Sequence, residues 1–159
     1  MRLFMKTPAI APDSAFEYLV RVQPHHTDYA GIVWHGTYVA WLEEARVEYL
    51  RSHGINFADW VNSGVDLPVV DLSLQYRRSL TMGMTAQIKC WVSPPKGVKI
   101  LWQYEIYNLE SQVLCVTAHV TLVPVDHEQR KVVRRLPDPL RSDFARLFSA
   151  AGASSAFSC

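Results

Sequence analysis

The residues with the clearest chemical potential lie close together between positions 24 and 38, in the run Pro24-His25-His26-Thr27-Asp28-Tyr29-Ala30-Gly31-Ile32-Val33-Trp34-His35-Gly36-Thr37-Tyr38. Asp28 stands a few residues before a predicted helix N-terminus, where backbone N–H groups have no intrahelical partner. A carboxylate beside oriented N–H donors is the equipment of acyl-group hydrolysis: a nucleophile or general base, and stabilisation for a developing oxyanion. His35 follows seven residues later and is able to bond substrate or water, or to move a proton near neutral pH. The competing explanations are structural. Asp in a loop commonly bonds nearby backbone N–H groups, and a histidine at a helix start is more often part of the fold. Trp34 and Tyr38 are the aromatics close enough to Asp28 to shape a pocket, although Tyr38, Trp41 and Tyr49 also have the spacing of a core face.

The elements around this run must hold it in place. Alternation over 16–23 puts Phe16, Tyr18, Val20 and Val22 on one face of a strand. Pro24 cannot donate to a ladder, so it closes the strand and opens the Asp28 loop. Over 36–53, apolar residues at steps of three and four (Tyr38, Trp41, Leu42, Ala45, Tyr49) predict the longest helix, with Glu43, Glu44, Arg46, Glu48 and Arg51 as polar neighbours. Gly54 stops it, and 55–63 predicts a short second helix before Gly64. Four strands follow, at 69–76, 86–92, 99–107 and 113–123. The hairpin-length breaks Pro94-Pro95-Lys96-Gly97 and Asn108-Leu109-Glu110-Ser111 make the last three an antiparallel meander. One long helix and about five strands satisfy each other by laying the helix across one sheet face, an α+β arrangement in which the sheet wraps the helix. Asp138-Pro139 has the form of an N-cap and first-turn proline for a last helix carrying Leu140, Phe144, Leu147 and Phe148.

The expected organisation is a loose lead-in at 1–15, one domain at 16–136, a C-terminal helix at 137–148 and a disordered small-residue tail at 149–159. A length of 159 residues suits a single domain. No apolar run reaches membrane-spanning length and the first residues lack a signal-peptide core, so no stable membrane insertion and a cytoplasmic location are expected. The formal net charge of +1 argues against a nucleic-acid binder and directs attention to a small-molecule partner. Cys90, Cys115 and Cys159 form no CxxC pair, and the six histidines show no ligand spacing, so neither a disulfide framework nor a metal site is expected. Gly31 and Gly36 fit no phosphate-loop fingerprint. The pair Arg77-Arg78 and the run around Arg130 to Arg135 are placed either to meet phosphates of a nucleotide-bearing substrate or simply to be solvated.

The run His26-Thr27-Asp28-Tyr29-Ala30-Gly31-Ile32-Val33-Trp34-His35, with Tyr38, Glu44-Ala45-Arg46 and Gly54, resembles the signature of the 4-hydroxybenzoyl-CoA thioesterase type of hotdog-fold enzyme. The likeness extends over about 16–140 in element order. It implies a curled antiparallel sheet around one central helix, self-association as a homodimer or a dimer of dimers (a homotetramer), and active sites between subunits. It further implies an acyl-CoA substrate, with no metal and no bound cofactor, since coenzyme A arrives with the substrate; the aromatic density near Asp28 favours an aromatic or short-chain acyl group. Asp28 then matches the family's catalytic carboxylate and His35 a histidine of its Tol-Pal-associated branch. The helix start at His35 and Gly36 matches the donor that polarises the thioester carbonyl, and Gly31, Trp34, Gly36 and Tyr38 are the substrate-binding candidates. Two positions depart from the pattern: Pro24 stands where relatives often have tyrosine, and His26 where they often have an acid. A hotdog dehydratase acting on hydroxyacyl thioesters and a non-catalytic acyl-CoA binding module are the alternative functions.

Overall fold

A computed structural model describes residues 11–154, with side chains described as far as residue 149. The chain runs β1 (Phe16–Arg21), a 3₁₀ turn (Pro24–His26), α1 (His35–Ser52), α2 (Phe57–Asn62), β2 (Val65–Asp66), β3 (Val69–Tyr76), β4 (Thr85–Val92), β5 (Ile100–Asn108), β6 (Leu114–Leu122), β7 (Val125–Asp126) and α3 (Leu140–Ser154). Five strands form one antiparallel sheet in the order β1-β4-β5-β6-β3, and β2 pairs with β7 in a separate small ribbon.

The register explains how this sheet acquires a helix-facing side. One row of partners crosses all five strands as Phe16, Cys90, Tyr104, Ala118 and Leu74; the adjacent row reads Glu17, Lys89, Glu105, Thr117 and Gln75. Successive side chains point to opposite faces, so the first row turns inward and the second outward. Inward lie Ile88, Ile100, Trp102, Tyr104, Ile106, Val116 and Val120, all buried with Tyr38, Trp41, Leu42, Ala45 and Leu50 of α1. Apolar burial on this scale is the main favourable term of the fold, at roughly 25 cal/mol per Å² removed from water.

The sheet-around-helix arrangement and the meander of β4, β5 and β6 agree with the expectations from sequence, and 69–76 matches β3 at both ends. Several local expectations are corrected. The ribbon of β2 and β7 has only two residues per strand, too few to leave a periodic signal. Arg46, expected at the polar face, is only 9% exposed. Its guanidinium lies beside the Cys90 thiol and the Tyr104 hydroxyl, whose pKa values are both raised by burial; its carboxylate neighbour is Glu43 at 3.7 Å. Asp138 does not cap a backbone N–H of α3; its carboxylate accepts from the Arg141 guanidinium at 2.8 Å. The helix also continues past 148 to Ser154, through Ala150, Ala151 and Ala153 and in spite of Gly152, so the expected disordered tail is corrected over 149–154. The remaining tail, 155–159, and positions 1–10 of the lead-in lie outside the described residues.

Both α2 and α3 pack onto the same core as the sheet. Asn56 caps α2 by accepting from the Ala58 N–H. The buried Trp60 donates its indole N–H to Asp143 Oδ2 at 2.8 Å and packs against the Phe144 ring, 5.2 Å between centroids. Leu140, Phe144 and Leu147 are buried beside it. No helix is long and apolar enough to cross a membrane among the described residues.

Candidate active site

The Asp28 loop is a closed local structure. Thr27 bridges Val33, Asp28 N–H donates to the Ile32 carbonyl at 2.8 Å, and Gly31 N–H donates to the Asp28 carbonyl at 3.0 Å. Gly31 takes φ +75°, a left-handed conformation that costs a residue with a Cβ roughly 1–2 kcal/mol. The Asp28 carboxylate belongs to this closure. Its Oδ1 accepts from Ala30 N–H at 2.8 Å and from Ile32 N–H at 3.2 Å. The structural role suggested by the sequence is therefore real, and it also leaves Oδ2 without a hydrogen-bond partner among the described residues. One oxygen fixes the group while the other remains available.

Two neighbouring segments hold the loop against the domain. On one side, Met82 N–H donates to the Gly31 carbonyl and Val33 N–H to the Leu80 carbonyl, tying it to the chain leading into β4. On the other, Trp34 N–H and Thr37 Oγ1–H both donate to the His26 carbonyl, at 3.0 and 2.9 Å, joining the 3₁₀ turn to the first turn of α1. His26 also accepts at Nδ1 from the Gln23 N–H at 2.9 Å, and its ring meets Trp41 edge-on at 5.1 Å. An imidazole accepting at Nδ1 is neutral with its proton on Nε2. In agreement, partial burial, followed by the neighbouring His25, lowers the His26 pKa from 6.5.

This neutral histidine gives the turn a pH dependence. The folded value lies below the unfolded one, so the unfolded chain takes up more protons as pH falls and stability falls with it. The contribution is complete above about pH 6.5 and is lost as pH drops through the lowered folded value. Wild type is expected to lose Tm between about pH 7.5 and about pH 5, and His26→Asn, which keeps an acceptor but does not titrate, to lose less over the same interval. Parallel Tm profiles for the two proteins would overturn this assignment.

At the start of α1, Trp34 occupies the N-cap position but no side chain caps the helix. The N–H groups of His35 and Gly36, the first two residues of α1, are too early for intrahelical bonds and have no other backbone partner among the described residues. The half-exposed Trp34 indole lies directly over this end: a Cβ on Gly36 would fall 2.0 Å from its ring, and the ring sits 4.7 Å from the imidazole of His35. A side chain at position 36 would therefore have to displace the indole above it. The His35 side chain is exposed, while its carbonyl accepts from the Tyr76 hydroxyl at 3.2 Å, which pins the helix start to the end of β3.

A cavity of about 200 Å³ opens beside this helix start. Ile32, Val33 and the rings of Tyr38 and Tyr76 supply its apolar wall; His35, Ser79, Arg77 and Arg78 supply polar groups. Tyr38 is largely a core residue, stacked edge-on to Trp41, and burial pushes its phenol up to about 12, so it stays protonated. Of the sequence candidates, His35 and Tyr38 line the cavity; Asp28, Gly31, Trp34 and Gly36 lie on the adjoining loop and helix start. The contributions of Tyr76 and Ser79 were not visible in the sequence. The run from Arg130 lies elsewhere, on the β2–β7 ribbon, where Arg130 and His127 meet Asp66. Among the described residues, no group of three or more His, Cys, Asp or Glu is placed to hold a metal ion.

Residues 22–146 match the model of the thioesterase-like superfamily. A Synechocystis protein named as an esterase is 52% identical over 132 residues, covering 83% of this chain and 80% of its own. A Bacillus subtilis protein named as an acyl-CoA thioesterase is 32% identical over 115 residues, covering 72% and 83%. Among solved structures, a DHNA-CoA thioesterase from Staphylococcus aureus superposes with a TM-score of 0.76 at 25% identity, covering 87% of this chain and 93% of its own.

Proposed function

From the premise that the chain belongs to the thioesterase-like superfamily and is a hotdog-fold thioester hydrolase, we propose that it hydrolyses a small aromatic or short-chain acyl-CoA to the free acid and CoA, with Asp28 as the catalytic carboxylate. The observation that carries this reading is the division of labour within Asp28: Oδ1 is held by two backbone N–H groups while Oδ2 accepts no hydrogen bond among the described residues, in the loop leading into a helix whose first two N–H groups have no partner among them.

In the proposed reaction the thioester carbonyl oxygen accepts from the His35 and Gly36 N–H groups, whose alignment with the helix dipole favours the negative charge that develops there. Asp28 Oδ2 either attacks the carbonyl carbon, forming an anhydride that water then cleaves, or takes a proton from the attacking water. In both routes an oxygen–carbon bond forms, the carbon–sulfur bond breaks, and the sulfur leaves as a thiolate that acquires a proton from solvent. A thiolate is a good leaving group, so the chemistry needs no strong general acid, metal or cofactor. The His35 imidazole orients water or the carbonyl. Many turnovers in ¹⁸O-water test the nucleophilic route, because label enters the Asp28 carboxylate only if an anhydride forms and water cleaves it at the aspartyl carbon.

The cavity wall of Tyr38, Tyr76, Ile32 and Val33 suits a ring or a short chain, and the aromatic substrate named for the Staphylococcus aureus relative is consistent with that choice. The quaternary reading rests on β3. It is an edge strand with Val69, Val70, Leu72 and Tyr76 exposed, an arrangement that invites pairing with a second copy into one continuous sheet. A homodimer built this way, and a dimer of dimers beyond it, would set the site near a partner subunit. Cys90 and Cys115 are free thiols, as a reducing cytoplasmic setting would keep them.

The test is release of free thiol from CoA esters of short, long and aromatic acids, with light scattering on the same sample. Turnover concentrated on short or aromatic esters by a dimer or tetramer is the expected result. Thiol release confined to long chains would refute the acyl preference, and an active monomer would refute the quaternary reading.

A further inference from the structure

The end of β3 carries a feature that alternation along a strand does not anticipate. The N–H groups of Arg77 and Arg78, consecutive residues, both donate to the Cys115 carbonyl, at 2.8 and 3.1 Å. Two residues facing one on the neighbouring strand form a bulge, which redirects side chains that a regular strand would send to opposite faces. Here both arginines reach the rim of the cavity beside His35. Both residues are exposed. Arg77 donates to the Gln75 side-chain oxygen at 3.1 Å and Arg78 to the Arg77 carbonyl at 3.4 Å. Neither forms an ion pair with a carboxylate among the described residues; Arg21, Arg134 and Arg135 also form none, but of these five only Arg77 and Arg78 line the cavity beside His35.

We propose that Arg77 and Arg78 form a phosphate-binding clamp for the carrier half of the thioester substrate. The proposal rests on the thioester reading of the neighbouring site. Two adjacent guanidiniums, neither committed to a carboxylate, present donors in the fork geometry that phosphate oxygens accept. Two carriers offer that chemistry: coenzyme A, through its diphosphate and ribose phosphate, and a phosphopantetheinylated carrier protein, through its phosphodiester. The acyl group enters the cavity and the pantetheine arm leaves over the rim that the two arginines occupy.

The experiment compares thioesters of one acyl group on CoA, on 4′-phosphopantetheine, on a carrier protein and on phosphate-free pantetheine, with wild type, R77Q/R78Q and R77K/R78K. The glutamine variant is expected to raise KM for the CoA ester by about tenfold or more, with kcat nearly unchanged, the size of a lost charged hydrogen bond. The pantetheine ester should be unaffected, and the lysine variant should recover part of the loss. An equal loss on the phosphopantetheine and carrier-protein esters assigns the contact to the phosphate next to pantetheine; a loss confined to CoA assigns it to the nucleotide phosphates. An equal loss on phosphate-free pantetheine, or no loss on any ester, overturns the clamp. If wild type hydrolyses no thioester, the catalytic reading fails, and calorimetric binding of free CoA against pantetheine still judges the clamp. Weaker CoA binding by R77Q/R78Q supports it, while unchanged binding, or none by wild type, overturns it.

Discussion

Asp28→Asn is expected to lower kcat on the order of a thousandfold while leaving the fold intact. The substitution is isosteric, and the Asn side-chain oxygen is able to keep the two bonds from Ala30 and Ile32 N–H that close the loop. The second terminal atom changes from an oxygen that attacks carbon or accepts a proton into an amide nitrogen that does neither. Thermal unfolding of the variant should therefore match wild type within a degree or two while thiol release nearly vanishes. Asp28→Ala makes the contrast, because it removes the loop bonds as well and should lower Tm in addition. Full turnover by Asp28→Asn would move the catalytic role to another group and leave Asp28 as a turn residue.

The largest effect on stability is expected at Trp41. The residue is 1% exposed, and its ring joins the core to the site: Tyr38 meets it at 5.4 Å and His26 at 5.1 Å, both edge-on. Truncation to alanine in such a position typically costs 3–5 kcal/mol, through lost burial and the cavity left behind. Against a total of roughly 5–15 kcal/mol for a domain, that is a large share, and a Tm fall of about 10 °C follows for a chain of this size. Trp41→Phe keeps most of the ring contact and should recover more than half of the loss. Activity should fall further than stability alone accounts for at a temperature where Trp41→Ala is still folded, because the His26 turn and the first turn of α1 rest on this ring. Denaturant melts and thiol release on the same samples check both statements. A loss below about 1 kcal/mol would show that the neighbours close over the gap.

These two residues differ in how far the sequence alone reveals them. Trp41 was legible as core from its spacing with Tyr38, Leu42 and Ala45. What it touches outside the helix was not, because the His26 contact depends on a 3₁₀ turn that brings the chain back over α1. Arg46 shows the limit of spacing more sharply. Its place in a run of charges makes it a polar neighbour of the apolar face, and the fold buries it against Tyr104, more than fifty positions away. Sequence could offer both the capping and the chemical reading of Asp28; the structure assigns the first to Oδ1 and leaves Oδ2 open for the second.

By itself the sequence determined the periodic parts of this protein: the long helix, β3 to its exact ends, the β4–β5–β6 meander and the Asp28-to-His35 motif with its family likeness. These are local patterns, in which burial on one face repeats every two or 3.6 residues and turn residues mark the ends. Tertiary structure alone decided what meets across the fold. It brought Tyr76 from the far end of β3 to the His35 carbonyl, turned Arg77 and Arg78 together onto one rim through a bulge, laid the Trp34 indole over Gly36, and closed α3 onto α2 through Trp60 and Asp143. Each of these contacts joins residues whose side-chain directions are set by backbone geometry or by partners distant in the chain, and no periodic signal in one segment encodes the position of another.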